Sequence, residues 1–203
     1  MAGSLARCLG EGAVSTLLVD ADEEGGGLAA QLDVKRPEHG PVDVGRNVRF
    51  MELGPGSARD GQVRELVSAT GSAQNAVVID LGHQVGPRQR ELAAASDWLI
   101  WVVMPDRSGL ERADRAMGSR ALTAAAEGLV LNRIRRGALA DADRVLASRH
   151  GLPVMARINE SAWIADRVAS GRAAHRLRSV RRALAELART VHPDAATAGP
   201  AWP

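Results

Sequence analysis

Leu17-Leu18-Val19-Asp20-Ala21-Asp22, continuing into Glu23-Glu24-Gly25-Gly26-Gly27-Leu28, is the stretch that decides the fold. Its apolar residues are consecutive rather than alternating, which is what a strand buried on both faces requires, and such strands belong to parallel sheets covered by helices. The run ends in two carboxylates two positions apart. On an extended segment these point the same way, so they can share one hydrated cation or orient one water; the competing reading is a solvated acidic turn. The three glycines then permit unusual backbone angles just before a helix.

Outward from this segment, six runs rich in Val, Ile and Leu read as strands: Ser15–Val19, Val48–Leu53, Ala76–Leu81, Trp98–Met104, Gly128–Leu131 and Pro153–Ile158. Helical segments fall between and after them at Gly27–Leu32, Gly61–Thr70, Pro87–Ala95, Gly109–Leu122, Leu139–His150 and Ser161–Ala169. A last helix, Arg172–Val191, carries Leu177, Val180, Leu184, Leu187 and Val191 at three-and-four spacing. The alternation predicts an α/β fold with a mostly parallel, doubly wound sheet and right-handed crossovers. A stretch of low periodicity, Asp33–Asn47, reads as a loop. Residues 1–191 read as a single α/β domain and residues 192–203, with Pro193, Pro200 and Pro203, as a flexible tail.

Composition narrows the class. The 203 residues are 45% hydrophobic and 25% charged, within the range of soluble globular chains. One cysteine, Cys8, leaves no disulfide framework or CxxC zinc site and suits a reducing compartment. No run approaches the length of a membrane span, and the opening MAGSLARCLGEG lacks the apolar core of a signal peptide, so a cytoplasmic protein is expected. The net charge is +2, and of the 26 basic residues only Lys35 is a lysine.

In folds of this class ligands sit beyond the carboxyl ends of the strands. Besides Asp20 and Asp22, two strand ends carry suggestive groups. Val77-Val78-Ile79-Asp80 has the form of a Walker B element, which holds Mg²⁺ beside nucleotide phosphates, although many strands end in Asp merely to start a turn. Asn132, after Leu129-Val130-Leu131, can offer an acceptor and donors to an adenine edge.

Taken in this order and spacing, these elements, with Ala95–Val103, Gly128–Arg133 and Gly151–Val154, resemble the MinD/ParA family of deviant-Walker P-loop ATPases over roughly residues 3 to 172. The triple glycine after the DxD is most similar to the CpaE/TadZ and septum-site-determining branch of actinobacteria. The resemblance implies ATP and Mg²⁺ as ligands. Asp22 matches the aspartate that positions the attacking water, Asp20 its partner near Mg²⁺, Asp80 the Walker B aspartate and Asn132 the adenine-contacting asparagine, with Arg133 beside it. Ala156-Arg157-Ile158-Asn159 falls where the family closes the base pocket, with Asn159 in place of the usual proline.

One element of that family is missing. Its phosphate loop cradles phosphate with consecutive backbone N–H groups while a lysine neutralises it. This chain contains no GxxxxGK[ST], and Lys35 lies in Asp33-Val34-Lys35-Arg36-Pro37, which has neither the glycines nor a preceding strand. The sequence opens inside what would be the helix after that loop. The expectation is a truncated start or a natural remnant, with the first strand and the loop upstream of Met1. Because that strand lies between those matching Ala76–Leu81 and Trp98–Met104, either direct pairing of these two or a gap is expected.

The family also implies function: relatives dimerise around ATP and place division, pilus or secretion machinery, or DNA. The expected protein is therefore a localisation protein with compromised ATP binding, the alternative being a pseudo-ATPase scaffold that binds a partner without nucleotide. A homodimer or a protein partner is expected. Arg172, Arg176, Arg178, Arg181, Arg182 and Arg189 on the last helix form either a solvated face or a nonspecific DNA contact. Membrane binding is less expected, since the apolar stripe of that helix lacks aromatic residues. Trp98, Trp101 and Trp163 read as packing residues and His83 as an exposed loop histidine.

Overall fold

Every residue of strand β1 (Thr16–Asp20) is buried, as its run of apolar residues demands. The computed structural model describes residues 1–23, 27–35, 40–53, 68, 74–134, 142–162, 164 and 177–193. In it β1 pairs in parallel with β3 (Val48–Glu52) on one side and β4 (Ala76–Asp80) on the other. The registers set Asp20 opposite both Glu52 and Asp80. A short antiparallel strand, β2 (Val42–Gly45), completes the order β2-β3-β1-β4. A second sheet holds β5 (Trp98–Val103), β6 (Ala126–Ile134) and β7 (Val154–Asn159), all parallel and in that order.

Helices cover both faces. On one face Leu5, Cys8 and Leu9 of α1 (Ala2–Glu11) and Val180, Leu184 and Leu187 of α6 (Arg178–Val191) enclose Val130, Ala156 and Ile158. Val78 of β4 and Ile100 of β5 pack against this same cluster. Elsewhere α2 (Gly27–Leu32) lays Leu28 and Leu32 against Leu18 and Phe50. On the opposite face Leu92 of α3 (Pro87–Ala94) meets Leu17, Val19 and Met51, with Ile79 beside them. The neighbouring Ala93 meets Leu99, with Leu81 and Trp101 beside it. The other two described helices are α4 (Arg107–Gly118) and α5 (Ala142–His150). Met117 of α4 and Leu146 of α5 pack on Val103, Leu129 and Leu131. Thus α1 with α6 on one side and α3 on the other each bridge the two sheets.

All six apolar runs are strands, and the opening segment is a helix. Some boundaries move for local reasons. Helix α4 starts at Arg107 rather than Gly109 because Asp106 caps it, its carboxylate accepting the Gly109 N–H at 2.7 Å. Strand β6 extends to Ile134, still paired with β7 beyond an irregularity at Arg133, whose φ is 60°. The stretch Asp33–Asn47, expected to be a loop, contains β2: Val42 and Val44 pack against the α2 side of the sheet. The turn into β3 is made at Asn47, φ 57°. The expected helix Gly61–Thr70, most of Ser161–Ala169, the start of Arg172–Val191 and the tail beyond Pro193 lie outside the described residues, apart from single positions.

Of the two outcomes expected at the centre of the fold, direct pairing is not the one found. Among the described residues no ladder joins β4 to β5; the first sheet stops at one and the second starts at the other. The consequence is visible in burial. β1 is wholly buried, whereas β4 has no fully buried residue, and Val77 of β4 and Val102 of β5 are 38% and 44% exposed.

Candidate functional site

Three parallel strands end in carboxylates side by side: Glu52 on β3, Asp20 on β1 and Asp80 on β4. Asp20 is 1% exposed. Its Oδ1 accepts the N–H of Asp22 at 3.2 Å. Asp80 repeats the arrangement, Oδ1 accepting the N–H of Gly82 at 3.1 Å. Each strand-end aspartate thus fixes the turn that follows it. The second oxygen of Asp20, Oδ2, is buried with no hydrogen-bond partner among the described residues. Burial pushes the Asp20 carboxyl up to about 6; the negative charges of Asp80, Glu52 and Asp22 add to this, while the Asp22 N–H works against it.

Asp22 lies over the turn after β4. Gly82 has φ +69°, and a Cβ placed on it would come within 2.6 Å of the Asp22 Cγ. Glycine is demanded there by both backbone angle and contact. The first turn of α3 ties the strand-end loops together. Gln89, fully buried, donates from Nε2 to the Ala21 carbonyl at 3.2 Å and accepts the Gly86 N–H on Oε1 at 3.0 Å. Arg88, also buried, donates from Nη1 to the Leu53 carbonyl at 3.2 Å, and its Nε stands 3.9 Å from Glu23 Oε1. The amino group of Met1, at the head of α1, is buried near Asp80, and its pKa is lowered by that burial against the pull of the carboxylate.

The structure therefore gathers Asp20, Asp22 and Asp80. The remaining three predicted residues stand at the carboxyl end of the other sheet. Asn132 is half-buried and lies inside β6, opposite Ile158, rather than after the strand as expected. Arg133 is exposed, and Asn159, also exposed, ends β7 opposite Ile134. The break between β4 and β5 separates this group from the acidic one. On α6, Arg178, Arg182 and Arg189 are exposed, and Arg182 pairs with Glu186 at 3.4 Å; Arg172 and Arg176 lie outside the described residues. His83 is exposed, as expected. Trp98 is half-buried, and Trp101 packs in the second sheet and donates to Glu127 Oε2 at 2.9 Å; Trp163 is outside the described residues.

Sequence reading missed three members of the site. Glu52 was available to it, since it closes an apolar run as Asp80 does. Arg88 and Gln89 were not, because a polar Pro-Arg-Gln-Arg segment gives no sign that two of its side chains turn inward.

Chemically, the acidic group supplies acceptors alone. Adjacent carboxylates with one unpartnered oxygen can take up a cation together or share a proton. Among the described residues no set of three or more His, Cys, Asp or Glu is arranged to hold a metal ion by itself. The orphaned Asp20 oxygen fits the metal end of a Mg²⁺-nucleotide site. For the phosphate end, the 203 residues supply no glycine-rich loop ending in Lys-Ser/Thr. Whether a nucleotide is held is taken up below, and no catalytic step is derived through it. No described helix is long and apolar enough to cross a membrane.

No protein-family model matches the sequence, and no curated protein matches it. Solved structures do. The septum site-determining protein MinD of Pyrococcus horikoshii, complexed with Mg-ADP, aligns over 98% of this chain and 92% of that one, with TM-score 0.76 and 18% identity. A ParA family ATPase from Chlorobium tepidum aligns over 92% of this chain and 91% of that one, with TM-score 0.72 and 15% identity. MinD in the MinC:MinD cell division complex of Aquifex aeolicus aligns over 93% of this chain and 87% of that chain, with TM-score 0.73 and 16% identity. At such identities the likeness is one of architecture: the chain has the mostly parallel, helix-flanked α/β fold of the MinD and ParA ATPases.

Proposed function

We propose that this protein is a localisation protein of the MinD/ParA type, nearest the CpaE/TadZ and septum-site-determining branch, in which the grip on ATP is compromised. The observation that carries this reading is the in-register pairing of Asp20 with Asp80 at the carboxyl ends of adjacent strands, one buried carboxylate oxygen unpartnered, on the fold shared with MinD. Asp20 and Asp80 take the metal-side roles, Asp22 the water-positioning role, and Asn132, Arg133 and Asn159 the base side. Function comes from a surface that a partner reads rather than from turnover. That partner is a second copy or a component of a division, pilus or secretion apparatus, reached from the cytoplasm.

Thermal-shift titration with Mg²⁺-ATP tests the nucleotide half of the proposal, since a ligand bound only by the native state raises Tm. A rise that needs millimolar nucleotide and disappears in Asp80→Asn is expected. Saturation at micromolar nucleotide would overturn compromised binding. No rise at any concentration favours the second reading, a pseudo-ATPase scaffold, which the missing phosphate cradle supports. Imaging a fluorescent fusion in the source cell tests the other half: discrete placement at pole, septum or nucleoid is expected, and a uniform distribution would sink it.

A further inference from the structure

We propose that Gln89 is the positioning residue of the acidic site: its buried amide orients the peptide group that leads into Asp22, and so sets where the Asp22 carboxylate stands. The inference rests on the proposed water-positioning role of Asp22 only for what that carboxylate then does.

The peptide group between Ala21 and Asp22 is held at both of its polar ends. Its carbonyl oxygen accepts from Gln89 Nε2 at 3.2 Å, and its N–H donates to Asp20 Oδ1 at 3.2 Å. One hold comes from the same turn; the other comes from α3, 68 residues along the chain. Because a peptide group is planar, fixing its oxygen and its N–H fixes the plane, and with it the position of the Asp22 Cα. The preceding peptide is fixed as well, the Ala21 N–H donating to the Asp80 carbonyl at 2.8 Å.

The residue type matters. Gln89 Oε1 accepts the Gly86 N–H at 3.0 Å, so the same amide also pins the end of the loop after β4. An amide has one donor end and one acceptor end, whereas a carboxylate offers acceptors alone and an ammonium donors alone. Gln89 is buried, so neither end has bulk solvent as a substitute partner. Beside it, Arg88 Nε stands 3.9 Å from Glu23 Oε1. The first turn of α3 thus holds the residue before Asp22 and the residue after it. Three and four positions further along the same face, Leu92 packs against β1 and Ala93 against Leu99 of the second sheet. The seating of α3 on both sheets is passed to Asp22 through Gln89.

The test is solvent exchange of backbone amides, followed by NMR on the full chain at pH 8, above the ordinary carboxylate range, for the parent, Gln89→Glu and Gln89→Met. Gln89→Glu keeps the acceptor for Gly86 and removes the donor to Ala21; Gln89→Met keeps the bulk and removes both. Expected in both variants is a shifted Asp22 amide resonance and exchange at least about tenfold faster there, with β1 unchanged. Gly86 should exchange faster in Gln89→Met alone. A residue that merely fills space would loosen both turns alike, and least in Gln89→Met. Unchanged exchange at Asp22 in either variant, or equal loosening of Asp22 and Gly86 in Gln89→Glu, would overturn the proposal. If a variant does not fold, the unaltered protein decides: one Gln89 Nε2 proton should exchange slowly and show a scalar coupling across the hydrogen bond to the Ala21 carbonyl carbon. A freely exchanging amide without that coupling overturns the proposal. Failure of the Mg²⁺-ATP titration is a separate result, which would remove the role of Asp22 and leave this exchange pattern standing.

Discussion

The carboxyl group of Asp22 rests directly over the Cα of Gly82, close enough that a methyl group on that glycine would stand 2.6 Å from the Asp22 Cγ. The turn after β1 and the turn after β4 therefore cannot move independently. Gly82→Ala adds both a collision and a left-handed backbone angle of +69°, a cost of about 1–3 kcal/mol. Urea denaturation should show that loss. The Asp22 backbone amide resonance should shift as well, and an unchanged Asp22 environment would mean that the contact is not a constraint.

Asp20 makes stability depend on pH. Its carboxyl is pushed up to about 6 in the folded chain from an ordinary 3.8, so folding favours the protonated form. The contribution is fully present below pH 3.8 and is lost as pH rises through about 6. Asp20→Asn removes that dependence and should stabilise the protein at pH 7 by on the order of 1–3 kcal/mol. Chemical denaturation at pH 5 and pH 8 checks it; a variant less stable than the parent at pH 8 would mean that the carboxylate is held by an uncounted cation or donor.

The α6 stripe should dominate the packing energy on its face. Leu184 is 0% exposed within the cluster that joins α1, β6 and β7, so Leu184→Ala should cost about 3 kcal/mol. Arg182→Ala, on the exposed side of the same helix and paired with Glu186 in the i,i+4 sense, should cost less than about 0.5 kcal/mol. Equal costs for the two would contradict the assigned orientation of the helix.

Cys8 should be chemically quiet. Burial, with help from Glu11, pushes its thiol up to about 11 despite Arg181, and the thiolate is the reactive form. Modification by a disulfide reagent at pH 8 should be slow in the native protein and fast in urea. Fast native labelling would show that α1 opens readily.

The parts of this fold legible in the sequence are those whose signal is local. Leu17-Leu18-Val19 and Val77-Val78-Ile79 announce strands by unbroken apolarity, and Asp106 announces a helix start, though the spacing alone placed that start two residues late. β2 escaped notice because Val42 and Val44 are too few to establish alternation. The acidic half of the site was readable because a carboxylate closing an apolar run must lie at a strand end, which is where Asp20 and Asp80 stand. Asn132 was misplaced by the same logic: continued pairing with β7 carries the strand past it. The inward turn of Arg88 and Gln89 depends on carbonyls at Leu53 and Ala21, far away along the chain, and no window of sequence contains both partners.

A fold divided between β4 and β5 is also a mechanical object with a seam. Within each half, neighbouring strands are riveted by peptide groups that resist sliding; across the seam, among the described residues, no strand pairing does this, and apolar side chains of three helices span it. Twist and shear imposed on the molecule should therefore concentrate there rather than within either sheet.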